Sequence, residues 1–374
     1  MKNIGVYIHI PFCIRKCNYC DFCSYTDSSQ SLMYEYTDEL CRRIKQFGEK
    51  FGYRRADTVY FGGGTPTLLP VQCFERLMRA LNDSFVIADN AEMTVECNPA
   101  SIKKEGFESL RSLGINRLSI GLQSANDAEL CELGRLHSFG EFCESFEAAR
   151  AAGFENISVD VMYGIPDQTL KSFEKTLGEV CRLSPEHISA YGLKIEENTV
   201  FSRIRDKLFL PDEEQEFLMY RMCNDILSDN GYHRYEISNF AKCGRESRHN
   251  LKYWRLEDYI GFGVAAHSCV DGVRFGNSRD IKAFLQGKDI TEEQYEVLAD
   301  ERVREYVMLG LRLSDGLDMN DYERLTERSF KADFPKTEEF IRMGLLSEKD
   351  GRISFTIEGV FVSNAVLSEM LDFE

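Results

Sequence analysis

The sequence has no apolar run that approaches the roughly 18 residues a membrane-spanning helix needs. Its first residues also lack the apolar core of a secretory signal peptide. These absences argue against a membrane-spanning or secreted protein. We therefore expect a cytoplasmic protein that contacts a membrane only at its periphery.

Positively charged residues are fewer than negatively charged ones. Lys and Arg together number 45, against 62 Asp and Glu, and the formal net charge is -17. Binding to a nucleic-acid backbone relies on clustered Lys and Arg. We therefore expect no nucleic-acid partner.

The 13 cysteines do not form the pattern of a disulfide framework. Such frameworks are typical of small secreted domains, whereas this chain has 374 residues and no regular cysteine pairing. Reduced thiols in the cytoplasm fit better. The length suffices for two domains, although a barrel takes up more of a chain as one unit.

Three of the cysteines lie within eight residues near the start of the chain. Cys13, Cys17 and Cys20 follow an apolar stretch, residues 6–10, that we predict to be a strand. Three thiolates could hold a [4Fe-4S] cluster whose fourth iron stays open to an outside ligand. A structural zinc site would need a fourth protein ligand, such as Cys23 or His9. Reduced, buried thiols without a metal are the third alternative.

Apolar strands alternate with amphipathic helices through the first half of the sequence. After residues 6–10 the pattern predicts strands at 56–61, 92–97, 117–121, 157–162 and 187–191, and helices at 32–47, 101–113 and 170–183 with two helical stretches before residue 152. Such alternation is typical of a parallel sheet. Six strands predict an α/β fold with a partial (β/α)6 barrel and not a closed eight-stranded barrel.

Glycine and polar residues stand where these strands end. Residues 62–65 (GGGT) follow the second strand, and Glu96, Gln123 and Asp160 lie at or just after the ends of later strands. Each of them singly could be a turn or cap residue. Ligands bind at the carboxyl edge of a parallel barrel, so their joint position predicts a binding site there.

These motifs together resemble one branch of the radical S-adenosylmethionine (SAM) superfamily, the branch that contains oxygen-independent coproporphyrinogen III oxidases and HemW-type haem chaperones. The likeness covers nearly the whole chain and rests on the cysteine loop with residues 62–66 (GGGTP), 96–99 (ECNP), 121–124 (GLQS), 133–137 (LGRLH) and 160–166 (DVMYGIP). It implies a [4Fe-4S] cluster on Cys13, Cys17 and Cys20 whose open iron chelates the amino and carboxyl groups of SAM.

The resemblance also implies a set of cofactor-binding residues. Carboxylates suit the ribose hydroxyls and the ammonium group of SAM, and an arginine suits its carboxylate as a planar fork. The residues implied for SAM are Tyr7, Gly63, Gly64, Thr65, Glu96, Gln123, Arg135 and Asp160. Tyr19 and, for haem, His249 complete the set of cofactor-binding residues.

Residues 249–254 (HNLKYW) contain the only tryptophan and are similar to the His-Asn-x-x-Tyr-Trp motif of HemW-type proteins. Imidazole ligates haem iron and aromatic rings make walls for a flat macrocycle, so His249, Tyr253 and Trp254 could form part of a haem site. A packed histidine beside a core tryptophan is the alternative. His267 is a second candidate for haem contact.

The last part of the sequence changes character. A helix is predicted to begin at residues 211–213, and after about residue 298 helices predominate, at 301–313, 318–327, 338–343 and 357–371, with a hairpin near 349–352. This order resembles a winged-helix module, for which we expect a packing or partner-contact role. We predict three parts, a radical SAM barrel at 1–235, a connecting segment with the HNxxYW motif at 236–297 and a winged-helix-like domain at 298–374.

The resemblance allows two functions, a haem chaperone and an oxidase that decarboxylates coproporphyrinogen III. In the oxidases a further cysteine follows two residues after the third, where this chain has Phe22, and a long segment precedes the cysteines, where this chain has twelve residues. The motif at 249–254 also favours the chaperone. We therefore predict a haem chaperone that passes haem to apoproteins, membrane respiratory proteins among them, and we leave a homodimer open.

Overall fold

The computed structural model describes residues 2–99 and 101–371. Residues 1 and 372–374, at the outer ends of the first and last predicted domains, lie outside this description. Within it, a sheet of 12 strands consists of β1 Asn3–Ile10, β2 Arg54–Gly63, β3 Phe85–Cys97, β4 Arg117–Gln123, β5 Ile157–Tyr163, β6 His187–Gly192, β7 His233–Arg234, β8 Asn239–Ala241, β9 Tyr259–Phe262, β10 His267–Val270, β11 Val273–Asn277 and β12 Thr291–Glu296.

A smaller sheet and the helices complete the fold. The small sheet consists of β13 Leu317–Asp318, β14 Leu346–Lys349 and β15 Arg352–Phe355. The helices are α1 Gln30–Phe51, α2 Val71–Ser84, α3 Lys104–Ser112, α4 Asp127–Glu132, α5 Phe139–Ala151, α6 Leu170–Leu183, α7 Val200–Arg203, α8 Glu213–Asp229, α9 Arg248–Trp254, α10 Ile281–Leu285, α11 Ala299–Gly310, α12 Met319–Thr326, α13 Phe330–Asp333, α14 Thr337–Arg342, α15 Ile357–Phe361 and α16 Ser363–Leu371.

Six parallel strands form the centre of the large sheet. β1 to β6 lie side by side in chain order, and each pairs in parallel with the next. The sheet does not close into a complete barrel within the described residues, because its terminal strands β12 and β7 do not pair with each other. The prediction of an α/β fold with a partial barrel is therefore confirmed.

Side chains alternate between the two faces of the central strands, as the period of two in a strand requires. In β1, Ile4, Val6, Ile8 and Ile10 are fully buried in the core that includes residues of α1 and α2. On the other face β2 to β6 carry polar residues at alternate positions, namely Thr58 and Tyr60, Thr94 and Glu96, Arg117 and Ser119, Ser158 and Asp160, His187 and Ser189. The interior of the partial barrel is therefore polar.

The helices of the structure agree with the helices predicted from the sequence, apart from small differences. Predicted helix 170–183 is α6, and α8 begins at Glu213 behind Asp212, whose side chain accepts from the Gln215 backbone in a capping box. The predicted last helix is divided into α15 and α16. α2 was missed, although Phe74, Leu77 and Leu81 supply a buried helical stripe.

Residues 236–297 extend the large sheet on both sides. β8 pairs antiparallel with β6, and after α9 the chain returns to the opposite side, where β9 pairs in parallel with β1. β10, β11 and β12 then add antiparallel strands up to the edge. The division of the chain at residues 235 and 297 stays a prediction.

The C-terminal helices and the small sheet have a hydrophobic core of their own. Val307, Tyr322, Ile353 and Phe355 are buried in it. The predicted hairpin is confirmed as β14 and β15, whose connecting residues Asp350 and Gly351 both have positive φ. None of the helices in the described ranges is both long and apolar enough to cross a membrane.

Candidate functional site

The three clustered cysteines lie in the loop between β1 and α1, at the carboxyl edge of the parallel strands. Cys13 is fixed by its backbone N–H, which donates to the Tyr25 carbonyl at 2.9 Å, and the Cys20 N–H donates to the Cys17 carbonyl at 3.2 Å. All three thiols are free and line the same cavity. The loop therefore brings three possible metal ligands to one place.

The triple glycine packs directly against this cysteine loop. The backbone N–H of Gly64 donates to the Ile10 carbonyl at 2.8 Å, and that of Thr65 donates to the Phe12 carbonyl at 2.7 Å. A Cβ atom at Gly64 would lie 2.7 Å from the Phe12 carbonyl oxygen, so only glycine fits. The Thr65 hydroxyl donates to the Cys13 sulfur at 3.7 Å.

The alternative ligands for a zinc site point elsewhere. The ring nitrogens of His9 are hydrogen-bonded to the Tyr7 hydroxyl at 2.9 Å and the Cys23 carbonyl at 2.8 Å. The Cys23 sulfur donates to the Tyr25 hydroxyl at 3.7 Å. In the described part of the chain no three His, Cys, Asp or Glu side chains meet closely enough to hold a single metal ion.

Three thiols without a fourth ligand among residues 2–99 and 101–371 fit a [4Fe-4S] cluster better than a single ion, because each sulfur then binds a different iron atom. Burial raises the pKa of Cys13 and raises that of Cys20 to about 11. Metal ligation requires the thiolate form, so a bound cluster would release protons from these residues.

The cavity beneath the cysteine loop has a volume of about 340 Å³. Most of the residues that the resemblance implies line it together, namely Cys13, Cys17, Cys20, Tyr19, Gly63, Gly64, Glu96, Gln123, Arg135 and Asp160. Thr65 stands behind Cys13, whereas Tyr7 and His249 lie deeper in the barrel interior. The structure thus brings together side chains that are up to 147 positions apart, from Cys13 to Asp160.

Glu96 is the carboxylate nearest to the triple glycine. Its Oε1 accepts from the Tyr60 hydroxyl at 2.8 Å and its Oε2 accepts from the Gly63 N–H at 2.9 Å. Burial raises the pKa of the Glu96 carboxyl to about 7, although these two hydrogen bonds oppose the rise. Glu96 is therefore a half-buried acceptor with a pKa near neutral pH.

Asp160 and Gln123 lie on neighbouring strands, Gln123 at the end of β4 and Asp160 in the middle of β5, which corrects the predicted position of Asp160 at a strand end. The Ser119 hydroxyl donates to the Asp160 carboxylate at 3.1 Å, and burial raises the pKa of this carboxyl. Gln123 ends β4 with a φ of 74°, in the left-handed region that few non-glycine residues adopt. The register shift between Gly121 and Gln123 occurs at the same point, so the strand ends in a local irregularity at the cavity.

Arg135 joins the cysteine loop to the strand ends. Its Nη2 donates to the Asn98 Oδ1 at 2.9 Å and to the Gly121 carbonyl at 2.7 Å, and its Nη1 donates to the Cys17 sulfur at 3.7 Å. Its buried Nε has no acceptor among the described residues, and the same holds for Nε of Arg117. Buried donors normally have partners, so the cavity suits a ligand that brings acceptors such as a carboxylate.

Several cavity residues were missed by sequence reasoning. Tyr60, Arg117, Ser119, Ser189, Tyr191 and Asn250 also line the cavity. The missed signal for the strand residues is their alternation, because polar side chains every second position in a buried strand must face a polar interior. Asn250 is brought in by α9 and has no such local signal.

The HNxxYW motif is divided among three environments. His249 is 1% exposed, and its ring nitrogens are hydrogen-bonded to the Thr58 hydroxyl at 2.8 Å and the Tyr253 hydroxyl at 2.9 Å. Burial lowers the pKa of His249 to about 3. Asn250 lines the cysteine cavity, whereas Tyr253 and Trp254 line a second cavity beside α11. The predicted role of His249 as a haem ligand stays a prediction, and it would require a ring nitrogen to lose its present partner.

Glu92 holds α9 against the sheet. Its two carboxylate oxygens accept from the backbone N–H groups of Arg248 at 2.9 Å and His249 at 3.0 Å. These are the first N–H groups of the helix, which have no partners within it. The second candidate, His267, is exposed, and its Nδ1 lies 3.4 Å from the Glu293 carboxylate.

The three free thiols, Gly63 and Gly64 of the triple glycine and the half-buried carboxylates line one cavity of an open parallel barrel, in agreement with the radical SAM class that the sequence motifs resemble. The model of the radical SAM superfamily matches residues 7–180, and that of the HemN C-terminal domain matches residues 297–362. This class implies a [4Fe-4S] cluster and SAM as cofactors.

Proteins that are similar over the full length of the chain identify its family within the radical SAM class. A protein named heme chaperone HemW from Bacillus subtilis (strain 168) is 38% identical over 98% of this chain and 99% of its own length. Its namesake from Escherichia coli (strain K12) is 33% identical over 99% of each chain. The chain belongs to the HemW family of radical SAM proteins.

A solved structure supports the fold. Coproporphyrinogen III oxidase (HemN) from Escherichia coli superposes with a TM-score of 0.85 over 98% of this chain and 89% of its own, at 24% identity. At this identity the likeness establishes the fold alone, so it does not favour the oxidase activity.

Proposed function

We propose that this protein is a haem chaperone, which binds haem and passes it to apoproteins. The observation that carries the proposal is the full-length similarity to proteins named heme chaperone HemW. Phe22 supports it, because this side chain is 69% exposed and lines the mouth of the cysteine cavity at the position where the oxidases of the resemblance have a cysteine.

The cofactor site is part of the same proposal. Cys13, Cys17 and Cys20 would hold a [4Fe-4S] cluster, which supplies an open iron atom for the amino and carboxyl groups of SAM. Arg135 would pair with the SAM carboxylate, and Glu96 and Asp160 would accept from its ribose hydroxyls and ammonium. The orphan Nε of Arg135 and the converging carboxylates support these roles.

The partners and location follow from the same function. The apoproteins that receive haem, membrane respiratory proteins among them, would meet a cytoplasmic protein at the membrane surface. A homodimer is also compatible with this proposal.

Haem titration of the anaerobically reconstituted protein, with a parallel assay of coproporphyrinogen III turnover, tests the function. We expect saturable haem binding, seen in the Soret band and as quenching of the single tryptophan, Trp254. We expect no protoporphyrinogen IX from coproporphyrinogen III, SAM and a reductant. Multiple turnovers without saturable haem binding would establish the oxidase instead.

A further inference from the structure

A second cavity, which we name the α9–α11 groove, lies between strands β9 to β11 of the large sheet and helix α11. Its volume is about 320 Å³. Tyr259 of β9 and Cys269 of β10, which are paired neighbours in the sheet, form one wall, and Met308 of α11 belongs to the other. α9 adds Tyr253 and Trp254. The groove is therefore lined by aromatic rings and by a sulfur atom on each wall.

The indole ring of Trp254 is available for stacking on a ligand. Trp254 is half-buried, and within residues 2–99 and 101–371 its indole has neither a ring contact nor a hydrogen bond. By contrast, Tyr253 packs edge-on against Tyr259, with ring centroids 4.6 Å apart and an angle of 82°. A large aromatic side chain that is not packed into a core is suited to stacking on a flat ligand.

Charge adds a second requirement for the ligand. Arg274 at the groove is already paired with Glu305, with Nη1 2.5 Å from Oε1. Arg302, one turn before Glu305 on α11, is exposed and has no described carboxylate within 4 Å. An apolar, aromatic groove with one unpaired cation fits a flat apolar ligand that carries carboxylates.

We propose that haem binds in the α9–α11 groove, stacked on Trp254, with the Cys269 sulfur as an iron ligand and a propionate on Arg302. This inference rests on the proposed chaperone function. The Cys269 thiol gives up its proton to solvent as its sulfur binds ferric iron. His249 then acts as an anchor of α9 through Thr58, and the motif contributes to the haem site through its last two residues.

The volume of the groove is consistent with a haem that is bound temporarily and then transferred to an apoprotein. Its volume lies near the lower end of the range for pockets that enclose a ligand, roughly 300 to 1,000 Å³. Part of the macrocycle would therefore project from the groove. An apoprotein could contact this exposed edge before the haem leaves the groove.

The test is haem titration of the full chain carrying single substitutions. We expect Cys269→Ser to shift the Soret maximum, because the axial ligand changes. Trp254→Leu should weaken binding by about tenfold or more through loss of the stacking ring. Arg302→Gln should weaken binding by about two- to fivefold, the size of an exposed ion pair. Circular dichroism would confirm that each variant is folded.

Two matched controls isolate the groove. Cys243→Ser removes an exposed thiol and Arg304→Gln removes an exposed cation of the same helix, and neither residue lines the groove. Both should bind haem like the wild type. An unchanged Soret band in Cys269→Ser together with unchanged affinity in Trp254→Leu would refute the groove and leave the chaperone function intact. Failure of the wild type to bind haem would refute both.

Discussion

Cys23 lies close in sequence to the cluster cysteines but faces a different environment. It is buried in the hydrophobic core and contacts Tyr25, and it does not line the cysteine cavity. We expect Cys23→Ser to keep the iron and sulfide content of the reconstituted protein, whereas Cys17→Ser should lose most of it. Iron and sulfide analysis after anaerobic reconstitution measures both. The reverse result would exclude the assigned ligands.

Glu96 should make SAM binding depend on pH. Its carboxyl has a pKa raised to about 7, and the cationic groups of SAM favour the ionised form. The ionised fraction therefore falls as the pH drops below 7, and we expect the SAM affinity to fall roughly tenfold between about pH 8 and pH 6. Calorimetry on protein with an intact cluster should also detect proton release at the lower pH.

The groups around Glu96 define the control for this experiment. Tyr60, Asp160 and Arg117 are the charged or titratable neighbours that affect its carboxyl. Burial lowers the pKa of His137 to about 4 and that of His249 to about 3, so neither histidine titrates in this range. Glu96→Gln should bind SAM more weakly and with a flat pH dependence. An unchanged slope in this variant would assign the titration to another group.

At the scale of elements, the end of β2 and the cysteine loop depend on each other through Gly64. An added Cβ would meet backbone atoms of Phe12 and Ile10, which cannot rotate away as a side chain can. We expect Gly64→Ala to lower the free energy of unfolding by about 1–3 kcal/mol and to reduce the iron content after reconstitution. Urea unfolding and iron analysis measure the two effects.

Gly178 provides the matched control for this substitution. It lies within α6, and no heavy atom is within 4 Å of the position of an added Cβ. Gly178→Ala should therefore raise the free energy of unfolding slightly, by up to about 1 kcal/mol, because alanine favours a helix. Gly64→Ala with the stability and iron content of the wild type would show that the loop can move away from β2.

At the scale of the whole molecule, an ion pair joins strand β11 of the large sheet to the C-terminal helices. Arg274 of β11 and Glu305 of α11 form a fork, with distances of 2.5 Å and 3.1 Å between their nitrogens and oxygens. Because both groups are largely buried, we expect a coupling energy of about 1–2 kcal/mol in a double-mutant cycle of Arg274→Gln and Glu305→Gln, measured by urea unfolding.

The exposed pair of Lys336 and Glu369 is a suitable comparison. Its side chains are 51% and 60% exposed, with a distance of 3.1 Å between Nζ and Oε2. Solvent screens such a pair, so its coupling energy should be about 0.5 kcal/mol or less. Equal coupling energies for the two pairs would mean that β11 and α11 are not held together by this contact.

The sequence by itself determined the parallel strands, most helix positions and the three cysteines, because these depend on local periodicity and spacing. It also placed Glu96 and Gln123 at strand ends, and the common direction of parallel strands makes those ends share one edge. Asp160 was predicted at a strand end as well but lies in the middle of β5. Their distances, hydrogen bonds and pKa values needed the paired strands.

Only the tertiary structure decided which side chains share an environment across long separations. The return of β9 to the far side of β1 depends on pairings between residues more than 200 positions apart, such as Val6 and Ile260. The division of the HNxxYW motif among core, cavity and groove also depends on distant residues, such as Thr58, which is 191 positions from His249. The interior positions of Arg117 and Tyr60 depend likewise on neighbouring strands. Burial and packing between distant segments leave no periodic signal in the sequence, which is the physical reason that they could not be foreseen.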